Sequence, residues 1–319
     1  MKIVITDGYT LNPGDLSWKD LETLGELVYY DRTPVDLVAE RCREAEVIVT
    51  NKTPVNAQTI TAAGRLKLIA VTATGYNMVD TDAARAAGVD VCNVPAYGTD
   101  SVAQHAIALL LECSNQVGLH ARSVRDGDWA RSADFSYSKT RVIELRGKVL
   151  GIVGMGRIGQ QTARIGEALG MELLYYNRSA RPEWKGRVAD MEELFEKSDF
   201  ISLHCPLTAE NKAFINKALL SRMKPGAWLI NTSRGALIHE ADLADALRSG
   251  VLAGAALDVL VEEPPRADHP LLGLDNCIIT PHNAWISIEA RRRIMQTTYD
   301  NVARVLAGRP QNVVNPKDP

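Results

Sequence analysis

Apolar residues fall in short runs along the whole chain, each followed by polar or turn-forming residues and then by apolar positions at helical spacing. In the first part, Ile3-Val4-Ile5, residues 27–30, Val47-Ile48-Val49, residues 68–71 and residues 89–91 read as buried strands. Residues 17–24, 34–42, 56–63 and 80–87 read as helices between them, with Pro34 suited to a first turn and Asn56 and Asp80 near caps. Strands alternating with helices predict a parallel sheet covered on both faces. Residues 93–99 form a turn-rich connector, and residues 102–117 read as one long helix, buried or in a subunit interface, that Asp100 or Ser101 can cap. The strand pattern then resumes at residues 149–153, 173–176, 200–203, 228–230, 253–257 and 277–279. The final helix, from about Ser287 to Leu306, carries an apolar stripe that needs a surface, and is expected to return to the first domain. The expected division is 1–98, 99–286 and a returning segment 287–319.

The run of residues 148–179 is the most informative stretch. A strand ends directly in Gly154-Met155-Gly156-Arg157-Ile158-Gly159, a helix follows to about Leu169, Gly170 stops it, and a second strand begins. Gly154 permits a tight turn, Gly156 lets backbone approach a pyrophosphate, and Gly159 lets helix and strand pack closely. The helix N-terminus then offers N–H groups and a positive dipole end to phosphate. Three glycines in this strand–helix–strand setting predict a dinucleotide site. The second strand ends in Asn177-Arg178-Ser179, without the carboxylate that would bond a ribose 2′-OH and repel a 2′-phosphate. A guanidinium there can pair with phosphate, which favours NADP(H) and leaves NAD(H) open. The bland alternative is that Arg178 is a solvated loop residue.

Other strand ends are polar too. The third and fourth strands lead into Asn51-Lys52-Thr53-Pro54 and Thr72-Ala73-Thr74-Gly75-Tyr76-Asn77. Both loops lie where open α/β sheets bind ligands, so Lys52, Thr74 and Gly75 are candidates for a small carboxylate substrate, although ordinary turns fit as well. In the second half, strands deliver His204-Cys205-Pro206, Asn231-Thr232-Ser233-Arg234-Gly235, Asp258 and Thr280-Pro281-His282.

Composition narrows the classes. With 319 residues and 46% hydrophobic content the chain can fill two cores. A formal charge of −3 gives no footprint for nucleic acid or anionic membrane, and Arg291-Arg292-Arg293 reads as the solvated face of a helix. No apolar stretch approaches membrane-spanning length, and the N-terminus reads as a strand rather than a signal peptide. Five scattered cysteines with no CxxC pair argue for a reducing cytoplasm and against a metal site. The segment to about Arg146 carries Trp129, Phe135 and Tyr137 among charges, fitting either a homodimer contact or a covering loop.

Gly154 to Gly159, Asn231 to Gly235, Asp258-Val259 with Glu262-Glu263-Pro264, and Thr280-Pro281-His282 together resemble the D-isomer-specific 2-hydroxyacid dehydrogenases, in that family's order and across the whole chain. Ser101-Val102-Ala103-Gln104-His105, with His282-Asn283-Ala284-Trp285 and Glu289-Ala290-Arg291, is similar to the glycerate dehydrogenase (hydroxypyruvate reductase)/glyoxylate reductase branch. The resemblance implies two doubly wound parallel-sheet α/β domains, a Rossmann dinucleotide-binding domain and a flavodoxin-like substrate domain, with the active site in the cleft between them. It implies that Arg234 binds and polarises the keto acid, that His282 exchanges the proton, and that Glu263, with Glu262 as the alternative, orients the imidazole. The implied cofactor contacts are the glycine loop with Arg157 and Ile158, the Asn177-Arg178-Ser179 turn, His204, Pro206, Thr232, and Asp258 near the nicotinamide carboxamide. Trp285 would wall a small substrate or belong to the core. The expected reaction is reduction of hydroxypyruvate or glyoxylate with NADP(H) or NAD(H) and without a metal. D-Lactate or 3-phosphoglycerate oxidation, or a dinucleotide-sensing corepressor role, are the alternatives.

Overall fold

The computed structural model describes residues 1–179 and 183–316. The chain forms two compact units, Met1–Tyr97 with the chain from Ile286 onward, and Gly98–Trp285.

The first unit is built from β1 (Lys2–Ile5), α1 (Lys19–Glu22), β2 (Glu26–Tyr29), α2 (Val38–Arg41), β3 (Val47–Thr50), α3 (Ala57–Ala62), β4 (Leu68–Val71), α4 (Thr81–Ala86) and β5 (Asp90–Cys92). Among the described residues its sheet has five parallel strands in the order β2-β1-β3-β4-β5. Both β3 and β4 are buried along their full length, as a parallel sheet covered on two faces requires. The caps read from sequence form: Asn56 accepts the Thr59 N–H (3.0 Å) and Asp80 that of Ala83 (2.9 Å). The helices expected at 17–24 and 34–42 are shorter, the second opening with a 3-10 turn at Val35–Leu37, and neither has a side-chain cap to extend it.

The last helix, Ile288–Leu306, belongs to this unit and buries Val302 in the cluster of Ile3, Ile5, Val47 and Leu68. Its first turn departs from the sequence reading. Arg291 is not on the solvated face but 8% exposed, bonding Asp15 through both terminal nitrogens (2.6 and 2.5 Å) and the Leu11 and Ile286 carbonyls. A planar fork with so many donors can be buried when every donor is met.

The second unit opens with α5 (Thr99–Asn115) and α6 (Val117–Arg125). The helix expected at 102–117 is α5, and the stretch after it, expected as a dimer arm or covering loop, begins with α6. Gln116 separates them by adopting φ +49, and Glu112 then accepts the Gly118 N–H at 3.1 Å. Helix α5 starts from Gly98, so Asp100 and Ser101 lie in its first turn rather than capping it. There follow β6 (Val149–Val153), α7 (Arg157–Ala168), β7 (Glu172–Tyr176), β8 (Arg187–Val188), α8 (Met191–Lys197), β9 (Phe200–Leu203), α9 (Lys217–Leu220), β10 (Trp228–Asn231), α10 (Glu240–Arg248), β11 (Gly254–Leu257) and β12 (Cys277–Ile279), with the last helix being α11. The seven described strands are parallel, in the order β12-β11-β10-β9-β6-β7-β8. One face packs Leu109, Leu110 and Cys113 of α5 and Ala163 of α7 onto Leu150, Ile152 and Ile230. The other packs Leu194, Leu220 and Leu243 of α8, α9 and α10 onto Ile201, Leu229 and Leu257. The order reverses between β6 and β9, which leaves an opening above their carboxyl ends.

Arg291 holds the Asp15 carboxyl below the usual carboxylate range through its hydrogen bond and charge. A depressed pKa contributes stability that is complete above the ordinary carboxylate value and lost as pH falls through the folded one. Asp15→Asn is therefore expected to lower stability at pH 7, with the gap to wild type closing on acidification below about pH 4. Urea unfolding at several pH values checks this; a gap independent of pH would refute it.

Candidate active site

At the β6–α7 turn the three glycines have distinct surroundings. Gly154 has φ +101, and a Cβ there would lie 2.6 Å from the Cys205 nitrogen and 2.8 Å from the His204 carbonyl carbon. A Cβ on Gly159 would collide with the Gly154 carbonyl oxygen. Gly156 meets nothing within 4 Å and is exposed. Two of the glycines thus close the turn against the protein, and the third leaves open space at the start of α7, whose N-cap makes no side-chain hydrogen bond. That is the shape and polarity a pyrophosphate needs. At the end of β10, Thr232 Oγ1 is buried without a hydrogen-bond partner among the described residues, a cost that a bound ligand can relieve. The donor set therefore fits a dinucleotide.

Asn177, expected as a cofactor contact, is committed to the turn. Its Oδ1 accepts the Met155 N–H (3.1 Å) and its Nδ2 donates to the Ser179 carbonyl (2.8 Å). Arg178 and Ser179 are exposed beside it. Glu210 is held below the ordinary range by Thr208, its own backbone and then Arg178, which puts a carboxylate in the field of that guanidinium. Pro206 is exposed, and its carbonyl accepts from Asn211 (2.8 Å). His204 is pushed down to about 4 by burial and is neutral at pH 7, with Nε2 2.9 Å from Ser202 Oγ.

Adjacent strands β10, β11 and β12 carry the remaining groups. After β10, Asn231 is fully buried, accepts the Ser233 N–H (2.9 Å) and donates to the Arg234 carbonyl (2.9 Å). This folds the turn so that Arg234 is exposed. Gly235 has no room for a side chain, because a Cβ would collide with the Leu260 carbonyl. The Arg234 turn is thus pressed against the segment leading to Glu263. Glu263 Oε1 accepts the Leu260 N–H (2.9 Å), and Oε2 meets His282 Nδ1 at 2.6 Å. Glu263, not Glu262, is the ring's partner. An ionised carboxylate only accepts, so Nδ1 carries a proton and Nε2 is left to exchange one. The two side chains are 33% and 35% exposed, open enough for a small molecule to reach. Trp285 is half-buried three residues on, not a core residue.

Sequence reasoning put Asp258 beside the nicotinamide. Its carboxylate is 1% exposed and filled by protein donors: the Thr280 hydroxyl (2.6 Å), the Asn283 N–H (2.9 Å) and the Ala284 N–H (3.0 Å). Its demonstrable contacts hold the loop that bears His282.

In the first unit, Asp7 at the end of β1 accepts the N–H groups of Asn51 (2.8 Å), Lys52 (2.6 Å) and Thr53 (2.8 Å). These amides are filled by the protein itself, and the exposed Lys52 side chain stands on a fixed turn. Sequence reasoning missed Asp7; the signal was an acid two residues past the first strand. Thr74 donates its hydroxyl to the Val94 carbonyl (2.9 Å), which shapes the Thr74-Gly75 turn. Groups of His, Cys, Asp and Glu suited to a metal are absent among the described residues.

Residues 107–284 match the model of the D-isomer specific 2-hydroxyacid dehydrogenase NAD binding domain. The chain belongs to the D-isomer specific 2-hydroxyacid dehydrogenase family. It is 47% identical to a hydroxypyruvate reductase of Blautia hydrogenotrophica, over 99% of this chain and 100% of that protein. It is 40% identical to a glycerate dehydrogenase of Methylorubrum extorquens, over 88% and 89% of the two chains. The TT0316 protein of Thermus thermophilus has a similar structure, with a TM-score of 0.89 and 34% identity over 98% of this chain and 100% of that one.

This dehydrogenase offers a direct check of its cofactor cradle. Gly156→Ala is expected to leave thermal stability nearly unchanged while weakening dinucleotide binding by roughly tenfold or more, because the methyl group enters only the ligand's space. Gly159→Ala should lose both stability and binding. Calorimetric titration with NADH and NADPH beside thermal unfolding separates the two; unimpaired binding by Gly156→Ala would contradict the cradle.

Proposed function

We propose that this dehydrogenase reduces hydroxypyruvate to D-glycerate and glyoxylate to glycolate, with NADPH preferred over NADH. The observation that carries the chemistry is the 2.6 Å Glu263–His282 pair, with Glu263 on the segment that Gly235 packs beside the Arg234 turn. Bound NAD(P)H supplies the hydride. Arg234 holds the substrate carboxylate and polarises the neighbouring carbonyl, a task suited to a planar, permanently charged fork. His282 Nε2 gives its proton to the alkoxide oxygen as the carbonyl carbon accepts the hydride, and takes one back in the reverse direction. Glu263 fixes the ring through Nδ1 and stabilises the imidazolium. Lys52 and the Thr74-Gly75 turn are proposed substrate contacts, and Trp285 a wall against larger substrates. The hydroxypyruvate reductase and glycerate dehydrogenase relatives support the choice of substrate, and Arg178 without a neighbouring Asp or Glu on its turn supports NADPH.

We also propose a homodimer in a reducing compartment. Phe135 is 91% exposed and Trp129 53%, yet the segment bearing them is ordered by Lys139 and Ser123, which together hold the Asp128 carboxyl down at about 2. Exposed aromatics on a fixed scaffold suit an interface. All five cysteines are unpaired.

A steady-state assay crossing hydroxypyruvate, glyoxylate and pyruvate with NADPH and NADH tests the reading. Hydroxypyruvate and glyoxylate should be reduced fastest, and His282→Ala should cost on the order of a thousandfold or more in kcat with cofactor binding retained. Arg178→Ala should impair NADPH use far more than NADH use; equal losses would remove the phosphate role. Tight cofactor binding with no turnover would favour a dinucleotide sensor. In sedimentation, Phe135→Asp should shift the protein towards monomer.

A further inference from the structure

His282 stands in a backbone conformation that residues with a side chain rarely adopt. Its φ is +51, in the left-handed region favoured by glycine, and no glycine occurs between Thr280 and Ser287 to relax the turn. The surroundings must therefore impose this shape. Its N–H is shared between the Asp258 and Thr280 carbonyls at 2.9 Å each, and Asp258 binds the next two N–H groups through its side chain.

Two further groups reach the loop from α5. Ser101 Oγ donates to the Ala284 carbonyl at 2.8 Å, and His105 Nε2 lies 3.0 Å from Thr280 Oγ1. They are four residues apart, so one turn of helix presents both on one face, and they take the two ends of the segment 280–284. The proton arrangement there is determined. The Thr280 hydroxyl has a single proton, which goes to Asp258 Oδ1 at 2.6 Å, so it can only accept from His105. His105 must then carry its proton on Nε2. The helix behind them does not give way easily, since Ala103, Ala106, Leu109 and Leu110 are buried.

We propose that Ser101 and His105 form a clamp that holds the His282 loop in its strained conformation, making both of them positioning residues for proton transfer. This rests on the reading of His282 as the proton donor. It also gives a physical role to the Ser101-Val102-Ala103-Gln104-His105 motif. The clamp touches neither the substrate nor the cofactor; it sets where the His282 ring stands and whether Glu263 can meet Nδ1.

The test compares His105→Leu, His105→Gln and Ser101→Ala in the full chain, with hydroxypyruvate and NADPH as substrates. Gln can place an N–H donor near the position of Nε2, whereas Leu fills space without one. His105→Leu is expected to lose about 10- to 100-fold in kcat, with the dinucleotide KM within about twofold of wild type, and His105→Gln to recover most of the loss. Ser101→Ala removes only a hydroxyl and should fold, with a smaller loss in kcat. Proton NMR supplies a readout that needs no turnover. The His282 Nδ1 proton, in its short bond to Glu263, should resonate far downfield, persist in His105→Gln and disappear or broaden in His105→Leu. If His105→Leu keeps wild-type kcat and this resonance, the clamp is refuted. It is refuted equally if Gln fails as badly as Leu, or if the loss is confined to thermal stability. Should the wild type reduce no keto acid, the proposed function falls, and the NMR comparison still decides the clamp.

Discussion

A carboxylate out of reach of water controls this site. Asp258 is 1% exposed, and a charge so placed is tolerated only where donors surround it. Those donors are the Thr280 hydroxyl and the N–H groups of Asn283 and Ala284, so satisfying Asp258 fixes the path of the loop between β12 and α11. His282 rides on that loop with its left-handed backbone. Glu263 applies a second constraint, one oxygen spent on the Leu260 N–H and the other on the ring. The imidazole is thus oriented by the protein alone, from its backbone and from Nδ1, which is the preorganisation that the proposed proton transfer calls for.

Parallel topology explains why these groups are neighbours at all. Strands β10, β11 and β12 are adjacent and run the same way, so their carboxyl ends open onto one rim. Close approach along that rim depends on missing side chains. Gly235 admits the Leu260 carbonyl beside the Arg234 turn, while Gly154 and Gly159 let the β6–α7 turn close on itself and on the end of β9. In the first unit the same position on a parallel sheet is used differently. There the Asp7 carboxylate fills the amides of residues 51–53, so one of the two loops expected to receive an anion already holds one from the protein.

Periodicity in the sequence identified two parallel α/β sheets and their buried strands, because burial on both faces leaves uninterrupted apolar runs, but not β8, which is two residues long and exposed. The glycine spacing after Val153 and the order of polar strand ends identified the dinucleotide turn and the family, since these signals are local and demand particular residue types. What was misjudged depended on partners far away in the chain. The inward turn of Arg291 requires Asp15, and the commitment of Asn177 to Met155 follows from how the turn closes. The same holds for the contacts of Asp258, Asp7 and His105, each an ordinary polar residue in sequence. Local composition determined which residues could perform the chemistry; only tertiary structure decided which polar atoms remain available for it, because hydrogen bonds inside the protein are fixed by three-dimensional proximity.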